Sequence, residues 1–187
     1  MLLYIDACIN RDTSRTERLA QAFLTKHQET SPCKIRTVIL EEEPLSPLNA
    51  TILAKREDFI AKGDFSDKYF RLAHLFVQAD ELLIAAPYWD LSFPSAIKLF
   101  LEQICINGLT FRYNEKGIPE GLTAIKRLTY ITTSGGYIGP YNFGYDYVKG
   151  LFQNLLGVSD TRFISAEGLD IYGNTPDDIL QNALDAL

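Results

Sequence analysis

At 187 residues, 47% of them hydrophobic and 22% charged, the chain carries enough apolar material for one sizeable core and too little length for a second. Its 24 acids against 18 bases leave a formal charge of −6, which excludes the basic face that nucleic-acid binding requires, so an anionic ligand must be held by local geometry. The opening MLLYIDACIN lacks the basic leader and long apolar stretch of a signal peptide, and no later apolar run approaches membrane-spanning length. The expectation is one soluble, cytoplasmic domain over residues 1–187, with neither nucleic acid nor membrane as partner. Cys8, Cys33 and Cys105 form no CxxC pair, and His27 and His74 lie far apart, so reduced thiols and no metal site are expected.

Leu2 to Asp6 predicts a short apolar strand, followed by a polar loop and then Ser14, Arg15, Thr16 and Glu17 ahead of a helix bearing Leu19, Ala20, Phe23 and Leu24. Ile35 to Leu40 is a β-branched strand, broken by the prolines and acids of residues 41–49. Asn49 can cap a helix ending near Gly63, and another starts after Ser66 and runs to about Ala79. The stretch from Glu81 to Asn107 organises the rest: a buried strand at Leu82 to Ala86, an aromatic turn, and a helix opened by Pro94. After Gly108 comes a short extended piece and a turn. Arg127 to Thr132 predicts the next strand, Tyr145 to Leu156 a helix stopped by Gly157, and Thr161 to Ala166 the last strand. Thr175 and Pro176 cap and begin a terminal helix reaching Leu187.

Five strands separated by helices imply parallel pairing, right-handed crossovers and helices on both faces. The predicted fold is α/β, a three-layer doubly wound, flavodoxin-like five-stranded parallel sheet, whose strand order sets the loops after its first, third and fourth strands side by side.

Those three loops carry the unusual chemistry. In the first, Ser14, Thr16 and the free N–H groups of a helix N-terminus face any anion placed there, with Arg11 and Arg15 adding positive charge. The plain alternative is that Ser14 and Glu17 form a capping box, which needs no ligand. In the second, Tyr88 and Trp89 offer a wall for a flat ring, and backbone groups from Tyr88 to Leu91 can reach its polar rim; alternatively, one aromatic belongs to the core and the other to an interface. In the third, Gly135 and Gly136 allow close backbone approach and Thr133 and Ser134 add hydroxyls, though a Gly-Gly turn alone would account for them. Cys8 has no histidine near it in sequence and reads as a small thiol at a strand end, and His74 as a helix-face residue.

Together the loops resemble the FMN-dependent NADH-azoreductase and NAD(P)H quinone reductase family over nearly the whole chain. The resemblance is carried by residues 14–16 (SRT), 87–90 (PYWD) running into 93–100 (FPSAIKLF), 108–113 (GLTFRY), 131–136 (ITTSGG) and 166–168 (AEG). It implies an FMN phosphate against Ser14, Arg15 and Thr16, with Cys8 and Asn10 lining the turn, and an isoalloxazine along Pro87, Tyr88, Trp89, Asp90 and Leu91, closed by Thr133, Ser134, Gly135, Gly136 and Tyr137. Tyr88, Trp89 and Tyr113 would line the substrate side. The implied activity is two-electron hydride transfer from NADH or NADPH to a quinone or azo compound by a ping-pong scheme, in a homodimer, with no obligatory acid or base assigned. Two residues depart from the family pattern: Cys8 where serine is common and Asp90 where asparagine is common. They keep a second reading open, a non-enzymatic FMN carrier or interaction module on the same fold.

Overall fold

The computed structural model describes residues 1–187, and its sheet explains where the three loops go. Five parallel strands, β1 (Leu2–Asp6), β2 (Ile35–Ile39), β3 (Glu81–Ala85), β6 (Arg127–Thr133) and β7 (Asp160–Ala166), lie in the order β2-β1-β3-β6-β7. This is the flavodoxin-like order expected. The three central strands are buried almost end to end while β2 and β7 alternate with exposed positions, which is what two covered faces and two edges demand of an all-parallel sheet. Register aligns Asp6 with Ala85 and Ala85 with Ile131. The chain therefore leaves all three central strands at one edge.

Helices α1 (Arg15–Thr30) and α6 (Pro176–Asp185) cover one face, their Leu19, Ala20, Phe23 and Leu180 packing on Tyr4, Leu83 and Ile131. Helices α3 (Arg71–Val77), α4 (Ser95–Ile104) and α5 (Phe143–Asn154) cover the other, with Phe76, Phe100 and Phe152 in the larger core. In α4 the buried residues are Ile97, Phe100, Leu101 and Ile104, one face of a 3.6-residue repeat. Burying each such side chain contributes roughly 1.5–3 kcal/mol, so this face alone fixes the helix that follows the aromatic turn. Helix α2 (Ala50–Lys62) begins at Asn49, whose side chain accepts the Ile52 N–H, and stops at Gly63 in the left-handed region. It packs outside α3 through an aromatic cluster including Phe59, Phe65 and Phe70.

Several boundaries differ from expectation. The helix expected after Ser66 is capped instead by Asp67 and opens as a 3-10 turn at Lys68–Phe70 before α3. Thr175 occupies the cap position of α6 without a side-chain hydrogen bond, leaving Pro176 and the acids Asp177 and Asp178 to favour the start. The extended piece after Gly108 is β4 (Phe111–Tyr113) of a hairpin with β5 (Pro119–Gly121). No helix is long and apolar enough to cross a membrane.

Candidate functional site

The sheet ladder continues past the strand ends and stitches the loops together. The Ala7 N–H donates to the Ala85 carbonyl, that of Ala86 to Ile131, that of Tyr88 to Thr133 and that of Ser134 to Ala166, all at 2.9–3.1 Å. Between the loops lies a cavity of about 360 Å³ lined by Ile9, Asn10, Thr13, Ser14, Arg15, Thr16, Pro87, Tyr88, Trp89, Thr133, Gly135 and Asp170. A larger one, about 490 Å³, lies beneath α2 and away from these loops. The smaller is the candidate site, because it sits at the carboxyl edge of the sheet where the strand order reverses.

The first loop is held from below by a buried polar network. Asp6 accepts the Cys8 N–H at 2.9 Å and Arg11 Nε at 2.7 Å. Glu17 accepts Arg11 Nη2 at 3.5 Å, Gln21 Nε2 at 2.8 Å and the Tyr4 hydroxyl. Arg11 thus ties the 3-10 turn Arg11–Thr13 to two buried carboxylates, Asp6 and Glu17. Asp6, Cys8 and Glu17 bring their ligand atoms within 4.8 Å of one another, but protein donors already engage both carboxylates.

This network revises the capping box. Ser14 Oγ accepts the Glu17 N–H at 3.2 Å, yet the Glu17 side chain turns inward to Tyr4 instead of reaching back to Ser14. Half of the motif is present, and its acid serves the network. Above it, the N–H groups of Arg15 and Thr16 make no intramolecular hydrogen bond, two free donors at the positive end of a 16-residue helix. The hydroxyls of Thr16 and Thr133 share a 2.6 Å bond, joining the first loop to the third.

Cys8 lies behind the cavity wall, 2% exposed within the core formed with α1. Burial pushes its thiol well above the ordinary value, only partly offset by the contact with Ser14. It stays protonated at neutral pH, so a cysteine-nucleophile chemistry gains no support here.

In the second loop Asp90 and Leu91 both take positive φ, 51° and 65°, while Trp89 and Ser92 exchange backbone hydrogen bonds at 3.1 and 2.7 Å. Such a tight two-residue turn favours Asn-Gly because each side chain in the left-handed region costs about 1–2 kcal/mol. The turn projects Trp89, which stays 45% exposed. Tyr88 is steadied by its hydroxyl, which donates to the Tyr141 carbonyl at 2.8 Å.

In the third loop Ser134 Oγ donates to the Gly136 carbonyl at 2.7 Å. Gly135 has a packing reason to be glycine: a Cβ there would lie 2.3 Å from Asp170 Oδ2. That carboxylate grips Arg15 end-on, Nη1 at 2.9 Å and Nη2 at 3.2 Å, and the guanidinium holds the Asp170 carboxyl below the usual aspartate range.

Of the residues expected at the site, the cavity brings together Asn10, Ser14, Arg15, Thr16, Pro87, Tyr88, Trp89, Thr133 and Gly135. Cys8, Asp90, Leu91, Ser134, Gly136, Tyr137 and Tyr113 lie outside its lining. Tyr137 leans on Gly168, and Tyr113 stands 55% exposed on β4. Sequence reasoning missed Ile9, Thr13 and Asp170. The first two sit inside a loop already singled out, whereas Asp170 follows the last strand, a loop whose only sequence signal was the 166–168 segment.

The whole chain, residues 1–187, matches the family described as flavodoxin-like fold. An FMN-dependent NADH:quinone oxidoreductase 2 of Clostridium acetobutylicum is 33% identical over 98% of this chain and 94% of its own length. An FMN-dependent NADH:quinone oxidoreductase of Lachnoclostridium phytofermentans is 35% identical over 92% of this chain and 88% of its own. Among solved structures, an FMN-dependent NADH-azoreductase from Bacillus anthracis in complex with FMN superposes with a TM-score of 0.83, at 22% identity, covering 99% of this chain and 94% of that one. Strand order, the cavity at its switch point and full-length similarity converge: the chain belongs to the flavodoxin-like family that includes the FMN-dependent NADH:quinone oxidoreductases.

Proposed function

We propose that the protein is an FMN-dependent NAD(P)H oxidoreductase that reduces quinones or azo compounds, acting as one FMN-binding domain over residues 1–187, in the cytoplasm and as a homodimer. One observation carries the reading: free N–H donors at the start of α1 share a single cavity with the Tyr88–Trp89 wall and the bare backbone of Gly135. The first suits a phosphate and the other two a flat ring.

The residues fit FMN on independent grounds. Arg15 and Thr16 hold unspent N–H groups where a phosphate would sit, and a Cβ at Gly136 would meet nothing within 4 Å. Bound there, FMN supplies the ring that accepts and passes on a hydride. The chain's part is to place and shield it. Ser14, Arg15 and Thr16 would hold the phosphate, Pro87 to Trp89 with Thr133 and Gly135 would flank the ring, and Trp89 and Tyr88 would give a flat acceptor a surface to stack on. Tyr113 on β4 is assigned to the acceptor side. Because donor and acceptor would use one face, they alternate, and steady-state kinetics should be ping-pong. The exposed aromatics Trp89, Tyr137, Tyr141 and Phe143 suit a subunit interface around the site.

The test is the visible spectrum of the purified protein before and after anaerobic NADH, with FMN added back if it emerges colourless. Bound flavin bleached by NADH and reoxidised by a quinone establishes the activity. Colourless protein that takes up no FMN refutes it, and flavin that binds without turning over NADH leaves the carrier reading in its place.

A further inference from the structure

Twelve residues line the cavity, and just two of them are charged, Arg15 and Asp170. They face each other, and three separate features bring them there. The Asp170 N–H donates to the Gly135 carbonyl at 2.9 Å and that of Leu169 to Ser134 at 3.1 Å, which fastens the loop after β7 onto the loop after β6. Gly135 leaves the space that the Asp170 carboxylate fills. The carboxylate then takes both terminal nitrogens of Arg15, leaving Nε and the outward N–H bonds for anything else.

The pair is poorly placed to serve stability. Its side chains are 38% and 65% exposed, and ion pairs that open to water contribute little to folding. Its effect falls on the cavity, whose one positive charge it cancels. The neighbouring Arg11 cannot replace that charge, being committed to Asp6 and Glu17. The cradle then recognises a phosphate through backbone N–H donors and a guanidinium whose charge is balanced.

We propose that Asp170 is a specificity-determining residue: by balancing Arg15 it sets how strongly the site prefers phosphorylated over unphosphorylated flavin, and so keeps the cofactor exchangeable. This rests on the FMN reading above. Removing the carboxylate turns the wall from neutral to singly positive, which favours a phosphate dianion and leaves the uncharged ribityl end of riboflavin indifferent.

The experiment titrates the full-length chain, stripped of flavin, with FMN and separately with riboflavin, following flavin fluorescence at low and moderate salt. Proteins compared are the parent, Asp170→Asn, Asp170→Ser, Arg15→Gln and the double variant Arg15→Gln/Asp170→Asn. Expected is about tenfold tighter FMN binding in both Asp170 variants, riboflavin unchanged within about twofold, and a steeper salt dependence for FMN alone. Arg15→Gln, which leaves the Asp170 carboxylate unpaired, should weaken FMN by about tenfold, and the double variant, neutral again, should return towards the parent. If both Asp170 variants lose FMN as Arg15→Gln does, the carboxylate merely positions Arg15 and the proposal falls. Equal shifts for both flavins, or Asp170 variants indistinguishable from a parent that prefers FMN, also overturn it while the FMN site stands. A parent that binds neither flavin removes both.

Discussion

The loops after β1 and β3 lie side by side and are built on opposite principles. The first is wired from beneath: Asp6, Arg11, Glu17 and Tyr4 form a buried network in which every carboxylate oxygen has a partner, so the cradle holds its shape through satisfied polar groups. The second has no such wiring. It is a two-residue turn with Asp90 and Leu91 in a conformation that side chains avoid, held by the strand before it and by the packed helix after it. A recognition surface for a charged group is fixed by electrostatic partners, whereas one for a flat apolar group can be forced into place by backbone strain that the core sustains. Mutation should therefore cost stability in the first loop and, at the strained position, restore it in the second.

The largest effect should come from Arg11→Met. It leaves Asp6 and Glu17 buried without a counter-charge, and urea unfolding should show a loss of about 3 kcal/mol. A loss below about 1 kcal/mol would mean the network does not hold the loop. Ser14→Ala should cost about 1 kcal/mol through the lost cap and also weaken FMN binding; unchanged FMN affinity would return Ser14 to capping alone. Leu91→Gly runs the other way. Relief of the left-handed strain, less the extra freedom of glycine in the unfolded chain, predicts a gain of up to about 1 kcal/mol, and a destabilised variant would show that the Leu91 side chain packs more than its exposure suggests.

Trp89→Ala, at an exposed position, should change stability by no more than about 0.5 kcal/mol while impairing acceptor reduction more than FMN retention. Equal loss of both would give Trp89 a structural role. The smallest effect concerns acid. Asp170 has its carboxyl lowered by Arg15, so the pair's small contribution is present above the ordinary aspartate range and is lost as pH falls through the depressed value. Asp170→Asn should flatten that limb of the stability profile by removing the small contribution at neutral pH, and should leave stability below the depressed value unchanged.

The wired loop was the harder to read from sequence. Leu2 to Asp6 and Leu82 to Ala86 announced themselves as buried strands, Gly63 marked a helix end where positive φ is needed, and Pro94 opened its helix, whereas the helix expected to run to Leu156 and stop at Gly157 ends at Asn154 with Leu155 as its cap. The Ser14–Glu17 spacing, by contrast, looks the same whether the acid turns back to the cap or inward to Tyr4, because local pattern says nothing about a partner 13 residues away. Asp170 was invisible for a related reason. Its partner is 155 residues distant, and the glycine that admits it reads as an ordinary turn. The hairpin strand Pro119–Gly121 has a composition that argues against a strand. It exists because Gly121 alone lets the hairpin lie against the end of α5, where a Cβ would meet the Leu156 carbonyl at 2.0 Å.

Strand β3 pairs on one side with β1 and on the other with β6, and 41 residues separate its last residue, Ala85, from Arg127. During synthesis the ribosome therefore releases β1, β2 and β3 well before the strand that covers β3's far edge. For several seconds, at about 5–20 residues per second, the nascent chain presents the apolar row Leu82–Ala85 as an open edge, competent to pair with another copy. Yield in the cell should then depend on translation speed and chaperone supply more than on the equilibrium stability of the finished protein.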